Sequence, residues 1–299
     1  AQPLRLEAVH FALDNSGRQH RFGLTAVPPD NLASPIDVRG DFRGADIDEL
    51  DGWSGKSFAE VDYVDLAAWR QWVDYPVALP HGRGALRTWI DFTRGRLSDV
   101  TADLSLQDAS VRLAKTLPSL DLKRMSGRIA VSFLANGLAV TGRGVSLETR
   151  QAMSSDVGGK EALIQIAPTD FHVDWRHDSA DRLVSGSASA SHLDLQALVE
   201  LAERLPLDEQ TRGLLANYSP RGQLSELGVN WRGNAERLET YELKAKFDDM
   251  ALKASGYFPG FAGMSGSVAA SENGGRLSLA SSKANIDLPA VFPVSLIEL

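Results

Sequence analysis

Arg128-Ile129-Ala130-Val131-Ser132-Phe133-Leu134-Ala135-Asn136-Gly137-Leu138-Ala139-Val140 is the stretch that decides the fold. Ile129, Val131 and Phe133 point one way and Arg128, Ala130 and Ser132 the other, the two-residue period of a strand with one apolar face. Asn136-Gly137 then returns the chain through Leu138 and Val140, because Asn-Gly suits the two positive-φ positions of the favoured hairpin turn. Arg94-Gly95, Asn273-Gly274-Gly275 and Asn15-Ser16-Gly17 mark further reversals. Alternation recurs at Leu104 and Leu106, at Phe171, Val173 and Trp175, at Leu243, Ala245 and Phe247, at Val268 and Ala270, at Leu277 and Leu279, and at Ile286 and Leu288. The expectation is a mainly β chain with a few short helices, built as a long antiparallel meander. Alternation reports which side is buried and not what buries it, so an open groove and a closed sandwich core both remain in play.

A second pattern is repetition. Asp41-Phe42 is answered by Asp170-Phe171 and Asp65-Leu66 by Asp194-Leu195, both at an offset of 129 residues. Arg83-Gly84 is answered by Arg221-Gly222 at 138, and Met125-Ser126-Gly127 by Met264-Ser265-Gly266 at 139. Two copies of one supersecondary unit are therefore expected, over residues 1–150 and 151–299. Such copies make an elongated array in which each unit buries its open face against the next. The roughly nine extra residues of the second copy fall where helices are expected. In the first copy Asp65 caps a helix, Val64 and Trp69 form its staple and Pro76 stops it, an insert over about residues 65–75. In the second, Asp194 caps a helix through Leu195, Leu198, Val199, Ala202 and Leu205, stapled by Leu193 and Leu198 and ended by Pro206. A further helix runs from Asp208 to Asn217, giving a two-helix insert over about 194–217. The apolar surface at Trp69, Trp72 and Val73 reads either as a lid on a hydrophobic channel or as a helix capping the sheet end.

Composition bounds the function. The net charge of -8 opposes a nucleic-acid partner, and the absence of cysteine removes thiol catalysis, zinc fingers and disulfides. No run approaches the roughly 18 apolar residues of a membrane-spanning helix. The chain opens at Ala1-Gln2-Pro3 without an initiator methionine and ends at Val291-Phe292-Pro293-Val294-Ser295-Leu296-Ile297-Glu298-Leu299, inside an expected strand, so it reads as an internal piece of something longer.

The search for chemistry finds no anchor. Gly55-Lys56-Ser57 ends like a phosphate loop, but Leu50 stands where that loop needs glycine. Gly82-Arg83-Gly84 lacks the third glycine of a dinucleotide fingerprint, and no G-x-S-x-G elbow presents a serine. His172, Asp174, His177, Asp178 and Asp181 form the richest polar cluster; with Phe171, Val173 and Trp175 opposite, it reads as the solvated side of a strand rather than a metal site. The acidic run from Asp46 to Asp51 lacks an EF-hand's glycine and terminal glutamate. Trp89, Trp175 and Trp231 lie in alternating runs, where a core role is the default. No catalytic residue, metal or cofactor is assigned.

Gly52-Trp53-Ser54-Gly55, Leu193-Asp194-Leu195, Leu205-Pro206-Leu207, Tyr218-Ser219-Pro220-Arg221-Gly222, Phe258-Pro259-Gly260, Gly263-Met264-Ser265-Gly266 and Leu288-Pro289-Ala290-Val291-Phe292 occur in an order that resembles the central region of YhdP proteins, of the AsmA-like group. The resemblance runs over essentially the whole chain. It implies a long, twisted antiparallel sheet curled into an open, taco-like groove. It also implies a periplasmic location within a protein anchored in the inner membrane by an N-terminal helix outside this chain, and transport of phospholipid between the inner and outer membranes of a Gram-negative envelope. The partners so implied are phospholipid acyl chains and the flanking repeats of the same protein.

The physics of the apolar faces is compatible with that role. Removing methylenes from water gains about 0.8 kcal/mol each, so a two-tailed lipid of about thirty methylenes gains on the order of 20 kcal/mol along a continuous apolar wall. The wall would comprise Ile129, Val131, Phe133, Phe171, Val173, Trp175, Leu243, Ala245, Phe247, Leu277, Leu279, Ile286 and Leu288, each also an ordinary core candidate. The alternative is a structural module whose apolar faces are satisfied internally and whose strand edges contact envelope proteins. An enzyme acting on envelope lipid or glycan ranks third, for want of a nucleophile or metal motif.

Overall fold

The computed structural model describes residues 3–45, 49–73, 78–152, 161–180, 182–234, 238–256, 258–287 and 296–297. Pro76, Asp46 to Asp48, Asp181, Leu288 and most of the terminal Val291–Leu299 stretch lie outside the described residues. Two compact units emerge: Ala1–Ala114 with Ser119–Pro168, and Lys115–Pro118 with Thr169–Leu299.

In the first unit β1 (Glu7–Ser16), β2 (Gln19–Val27), β3 (Ile36–Arg43), β4 (Ser54–Asp65), β5 (Ala78–Thr93), β6 (Arg96–Arg112), β7 (Leu120–Leu134) and β8 (Gly137–Ala152) each pair antiparallel with the next. The short helix α1 (Leu66–Trp69) stands between β4 and β5. Strand β9 (Glu161–His177) belongs to the second unit from Thr169 onward. There β10 (Leu183–Asp194), β11 (Arg221–Gly233), β12 (Leu238–Leu252) and β13 (Gly260–Ser271) continue the same antiparallel order. Between β10 and β11 come α2 (Leu195–Leu201), a 3-10 turn (Ala202–Arg204) and α3 (Glu209–Tyr218). One end of β13 carries the edge strand β14 (Gly274–Leu279), and the other carries β15 (Asn285–Asp287), which pairs with β16 (Leu296–Ile297). Each unit is an open antiparallel sheet; in neither does the strand path close into a barrel.

The hairpin between β7 and β8 forms one residue earlier than Asn136-Gly137 implies. Leu134 faces Gly137 across a two-residue loop of Ala135 and Asn136, neither with positive φ. Long ladders on both sides hold this register, and a one-residue slip would turn every side chain of β8 to the other face. The paired positive-φ turn occurs instead at Arg94-Gly95, with φ of 53° and 67°.

The helices begin where the sequence places them. Asp65, Asp194 and Asp208 cap α1, α2 and α3, their carboxylates accepting from the N–H groups of Ala68, Ala197 and Thr211 at 3.0, 2.9 and 2.7 Å. α1 is a single turn, prolonged by N–H groups of Trp72 and Val73 donating to the Trp69 carbonyl. It packs on β5, and the buried side chains of the first unit gather here. Val64 and Leu106 both face Gly84, Ala109 faces Leu122, and Val111 faces Leu120. A Cβ on Gly82 would come within 2.9 Å of the Ala109 Cβ and 3.8 Å of Leu66, which shows how closely this corner is packed. In the second unit Leu195, Ala197, Leu201 and Ala202 are buried where α2 rests on β10 and β11.

The landmark pairs fall on like elements in each unit. Asp41-Phe42 lies on β3 and Asp170-Phe171 on β9; Asp65-Leu66 and Asp194-Leu195 are both strand-to-helix steps. Arg83-Gly84 lies within β5 and Arg221-Gly222 begins β11, the strands that follow the helices, and the Met-Ser-Gly triplets lie on β7 and β13.

Candidate functional site

Residues directly opposite in an antiparallel ladder share a face, so register sorts the side chains. In the first unit one row reads Phe11, Leu24, Val38, Ala59, Thr88, Ala102 and Ile129 from β1 to β7. The adjacent row reads Leu13, Phe22, Gly40, Ser57, Ile90, Val100, Val131 and Val140. Ile129, Val131 and Phe133 thus belong to a largely apolar strip, broken by Ser57 and Thr88, that runs from β1 to β8. Among the described residues no helix covers this strip away from the α1 end: Phe11 is 62% exposed, Phe133 45%, and the rows between are mostly half-buried.

An aromatic ladder runs along the strip. Phe11, Phe22, Phe42 and Phe92 follow one another at ring separations of 6.5, 6.0 and 6.4 Å. A Cβ on Gly40 would lie 2.3 Å from the Phe22 ring, and one on Gly55 2.7 Å from the Phe42 ring, so each phenylalanine covers a neighbouring glycine. Sequence reasoning missed these four residues because the Phe-over-Gly signal exists only once register is known.

The second unit repeats the segregation. Phe171, Val173 and Trp175 stand opposite Ala190, Ala188 and Gly186, which face Leu227, Val229 and Trp231 in turn. Leu243, Ala245 and Phe247 stand opposite Ala270, Val268 and Gly266, and Leu277 and Leu279 opposite Val268 and Gly266. Ala245 and Phe247 are buried, whereas Leu277 is 61% exposed on the edge strand. Ile286 faces Phe261, and Gly263, at φ 69°, interrupts the alternation between Phe261 and this ladder. Phe261 in turn stands opposite Leu252, and Met264 opposite Met250, two residues before Leu252, so the bulge keeps Ile286 on the face of Met264; Leu288 is outside the described residues.

Trp69, at the end of α1, donates its indole N–H to the Leu32 carbonyl at 3.2 Å and meets Trp72 edge-on at 5.7 Å, while Val73 is exposed. Of the tryptophans expected in the core, Trp175 and Trp231 are only half-buried on the apolar strip. Trp89 lies on the opposite face, beside Phe58 at 5.4 Å and under the Arg128 guanidinium at 5.3 Å. It pairs with Phe58 across β4 and β5, a rung that alternation shares with Lys56 and Glu60 rather than with Ile90.

That opposite face is a lattice of charge. Arg21 pairs with Asp41, Lys56 with Asp91, Arg87 with Glu60, and Arg128 forks onto Asp103 through bonds of 2.5 and 2.7 Å. The Arg128 bonds hold the Asp103 carboxyl below the usual range, and Gln19, ahead of Arg21, does the same for Asp41. Of the polar cluster read from sequence, His172 Nε2 stands 3.5 Å from Asp174, which also accepts from Ser187. Asp178 turns away to accept the N–H groups of Arg182 and Ala180 and the Arg182 guanidinium, which pulls its pKa down to about 2. Among the described residues no three histidine or carboxylate groups gather to hold a metal.

A sheet that is apolar on one face, charged on the other and uncovered over most of the apolar strip is the architecture that the resemblance leads one to expect. The sequence model of a family described as YhdP protein matches residues 2–298. The chain belongs to the YhdP family. No curated protein and no solved structure matches it. Among the described residues of this YhdP-family chain, no helix is long and apolar enough to cross a membrane.

Proposed function

We propose that this YhdP-family chain is a non-enzymatic segment of a hydrophobic groove that carries phospholipid acyl chains through the periplasm, within an AsmA-like bridge between inner and outer membranes. On this reading the two units are copies of one repeat, and the larger protein is anchored in the inner membrane by a helix outside the chain. One observation carries the proposal: the apolar strip crosses the eight strands β1 to β8, and among the described residues no layer covers it away from the α1 end. Successive strands lie about 4.8 Å apart, so seven steps give roughly 34 Å of wall. Acyl chains need only a continuous apolar lining, because their transfer out of water is non-directional. The charged face keeps the outside wet, and α1, with Trp69, Trp72 and Val73, closes one end of the strip.

A second reading, a module that contacts envelope proteins through strand edges, is favoured by β1, which among the described residues pairs with β2 alone and exposes Val9, Phe11 and Leu13. Native mass spectrometry of the purified chain with extraction of co-purifying lipid separates the two. Phospholipid retained in defined stoichiometry supports the groove. A folded chain that carries no lipid and takes up none when offered transfers the assignment to the protein-contacting module.

A further inference from the structure

On the charged face of the first unit Arg21, Lys56, Arg87 and Arg128 are each matched by a carboxylate; at the β12–β14 end of the second unit two cations, Lys244 and Arg276, are not. Lys244 stands opposite Ala269 and Ala269 opposite Arg276, while Lys246 faces Ser267 and Ser267 faces Ser278. Lys246 pairs with Glu226 at 2.5 Å. Among the described residues Lys244 and Arg276 have no carboxylate partner. The short Ala269 side chain between them leaves a hollow of about 220 Å³, lined by Lys244, Lys246, Arg276, Ser267, Ser278 and the Glu226 carboxylate that pairs with Lys246. The next rung, Glu242 opposite Ser271, is acidic and bounds the patch. Two unpaired cations and two hydroxyls around a small floor, beside the Lys246–Glu226 pair, suit a tetrahedral anion, and in a chain of net charge -8 such a local excess stands out.

The other face of the same edge strand is apolar. Leu277 and Leu279 alternate with Arg276 and Ser278, and both are exposed. Among the described residues β14 pairs with β13 alone, so its outer side is a rim, and one strand separates the cationic hollow from the open apolar strip. An amphiphile with a phosphate close to its tails complements both sides of this rim at once. We infer that Lys244 and Arg276 hold the phosphodiester of a glycerophospholipid whose acyl chains lie against Leu277 and Leu279 around the β14 edge. This inference rests on the groove reading and assigns it a headgroup site.

The test compares the 299-residue chain with its Lys244→Gln/Arg276→Gln variant, each checked for unchanged circular dichroism. Three probes are titrated by calorimetry: dihexanoylphosphatidylglycerol below its micellar concentration, dihexanoylglycerol with the same tails and no phosphate, and inorganic phosphate. The double variant is expected to bind the phospholipid about tenfold more weakly, with a shallower salt dependence, and dihexanoylglycerol with unchanged affinity. Equal phospholipid affinity in both proteins overturns the headgroup site and leaves the groove standing. Loss of dihexanoylglycerol binding in the variant shows a structural role and overturns the site. Inorganic phosphate binding as tightly as the phospholipid makes the hollow a free-phosphate site, again against the inference. If neither acyl probe binds the unaltered chain, the groove reading itself fails, and the headgroup site with it.

Discussion

Two truncations separate an open wall from a closed core: Leu122→Ala and Val131→Ala, on the same strand. Leu122 is 3% exposed in the packed corner beneath α1, and losing its buried methyl and methylene groups removes transfer energy and leaves a cavity, about 3 kcal/mol in total. Val131 is half-buried with no layer above it among the described residues, so the two methyls lost there were partly hydrated already and no enclosed cavity forms; the cost is about 1 kcal/mol or less. With a urea m-value of about 3 kcal/mol/M for a chain of this size, the midpoints fall by about 1 M and about 0.3 M respectively. The assay is urea denaturation of delipidated protein, followed by tryptophan fluorescence and circular dichroism together, so that separate unfolding of the two units is seen if it occurs. Equal midpoint shifts would refute the open wall, because only a covered Val131 costs as much as Leu122. A ligand arm completes the test. A short-chain phospholipid at one hundred times its Kd stabilises the unaltered chain by about 2.7 kcal/mol, and Val131→Asp should forfeit most of that gain while remaining folded.

Gly55→Ala should destabilise more than Gly40→Ala, since a Cβ at Gly55 meets the Asp41 carbonyl at 2.4 Å whereas one at Gly40 meets only the movable rings of Phe22 and Phe42; thermal melts that rank them the other way would refute the packing account. Asp194→Ala removes the α2 cap and the bond accepted from Gln223, an expected loss of about 1 kcal/mol, read as faster hydrogen exchange at Ala197. Because the folded pKa of Asp178 is depressed to about 2, its contribution is complete above the ordinary carboxylate pKa of about 3.9 and fades as pH falls through about 2. Asp178→Asn should therefore speed exchange of the Ala180 and Arg182 amides at neutral pH, with the gap to the unaltered chain closing between about pH 4 and pH 2; a gap independent of pH would show that the carboxylate charge plays no part.

Strands, helix starts and the division into an apolar and a charged face were legible because they are local: alternation has period two wherever a strand runs, and an aspartate before a helix acts within three residues. Ile129, Val131, Phe171, Val173 and Leu243 could be placed on an apolar face from their own neighbours. The Asn136-Gly137 turn was misplaced by one residue, because ladder register over two long strands outweighs the preference of two turn residues. Trp89 was misassigned because composition marks a tryptophan as apolar and cannot say that its rung lies between Lys56 and Glu60.

The sequence by itself determined a mainly β chain of antiparallel hairpins with capped helices at Asp65, Asp194 and Asp208, and its membership of a family. Only the tertiary structure decided which apolar residues are covered. Leu122 and Phe247 are buried while Val131 and Leu277 are left open, although all four alternate in the same way, because burial depends on what lies across the face and not on the strand that carries it. The Phe11, Phe22, Phe42 and Phe92 ladder and the unmatched pair of Lys244 and Arg276 likewise appear only when register sets residues from separate strands side by side.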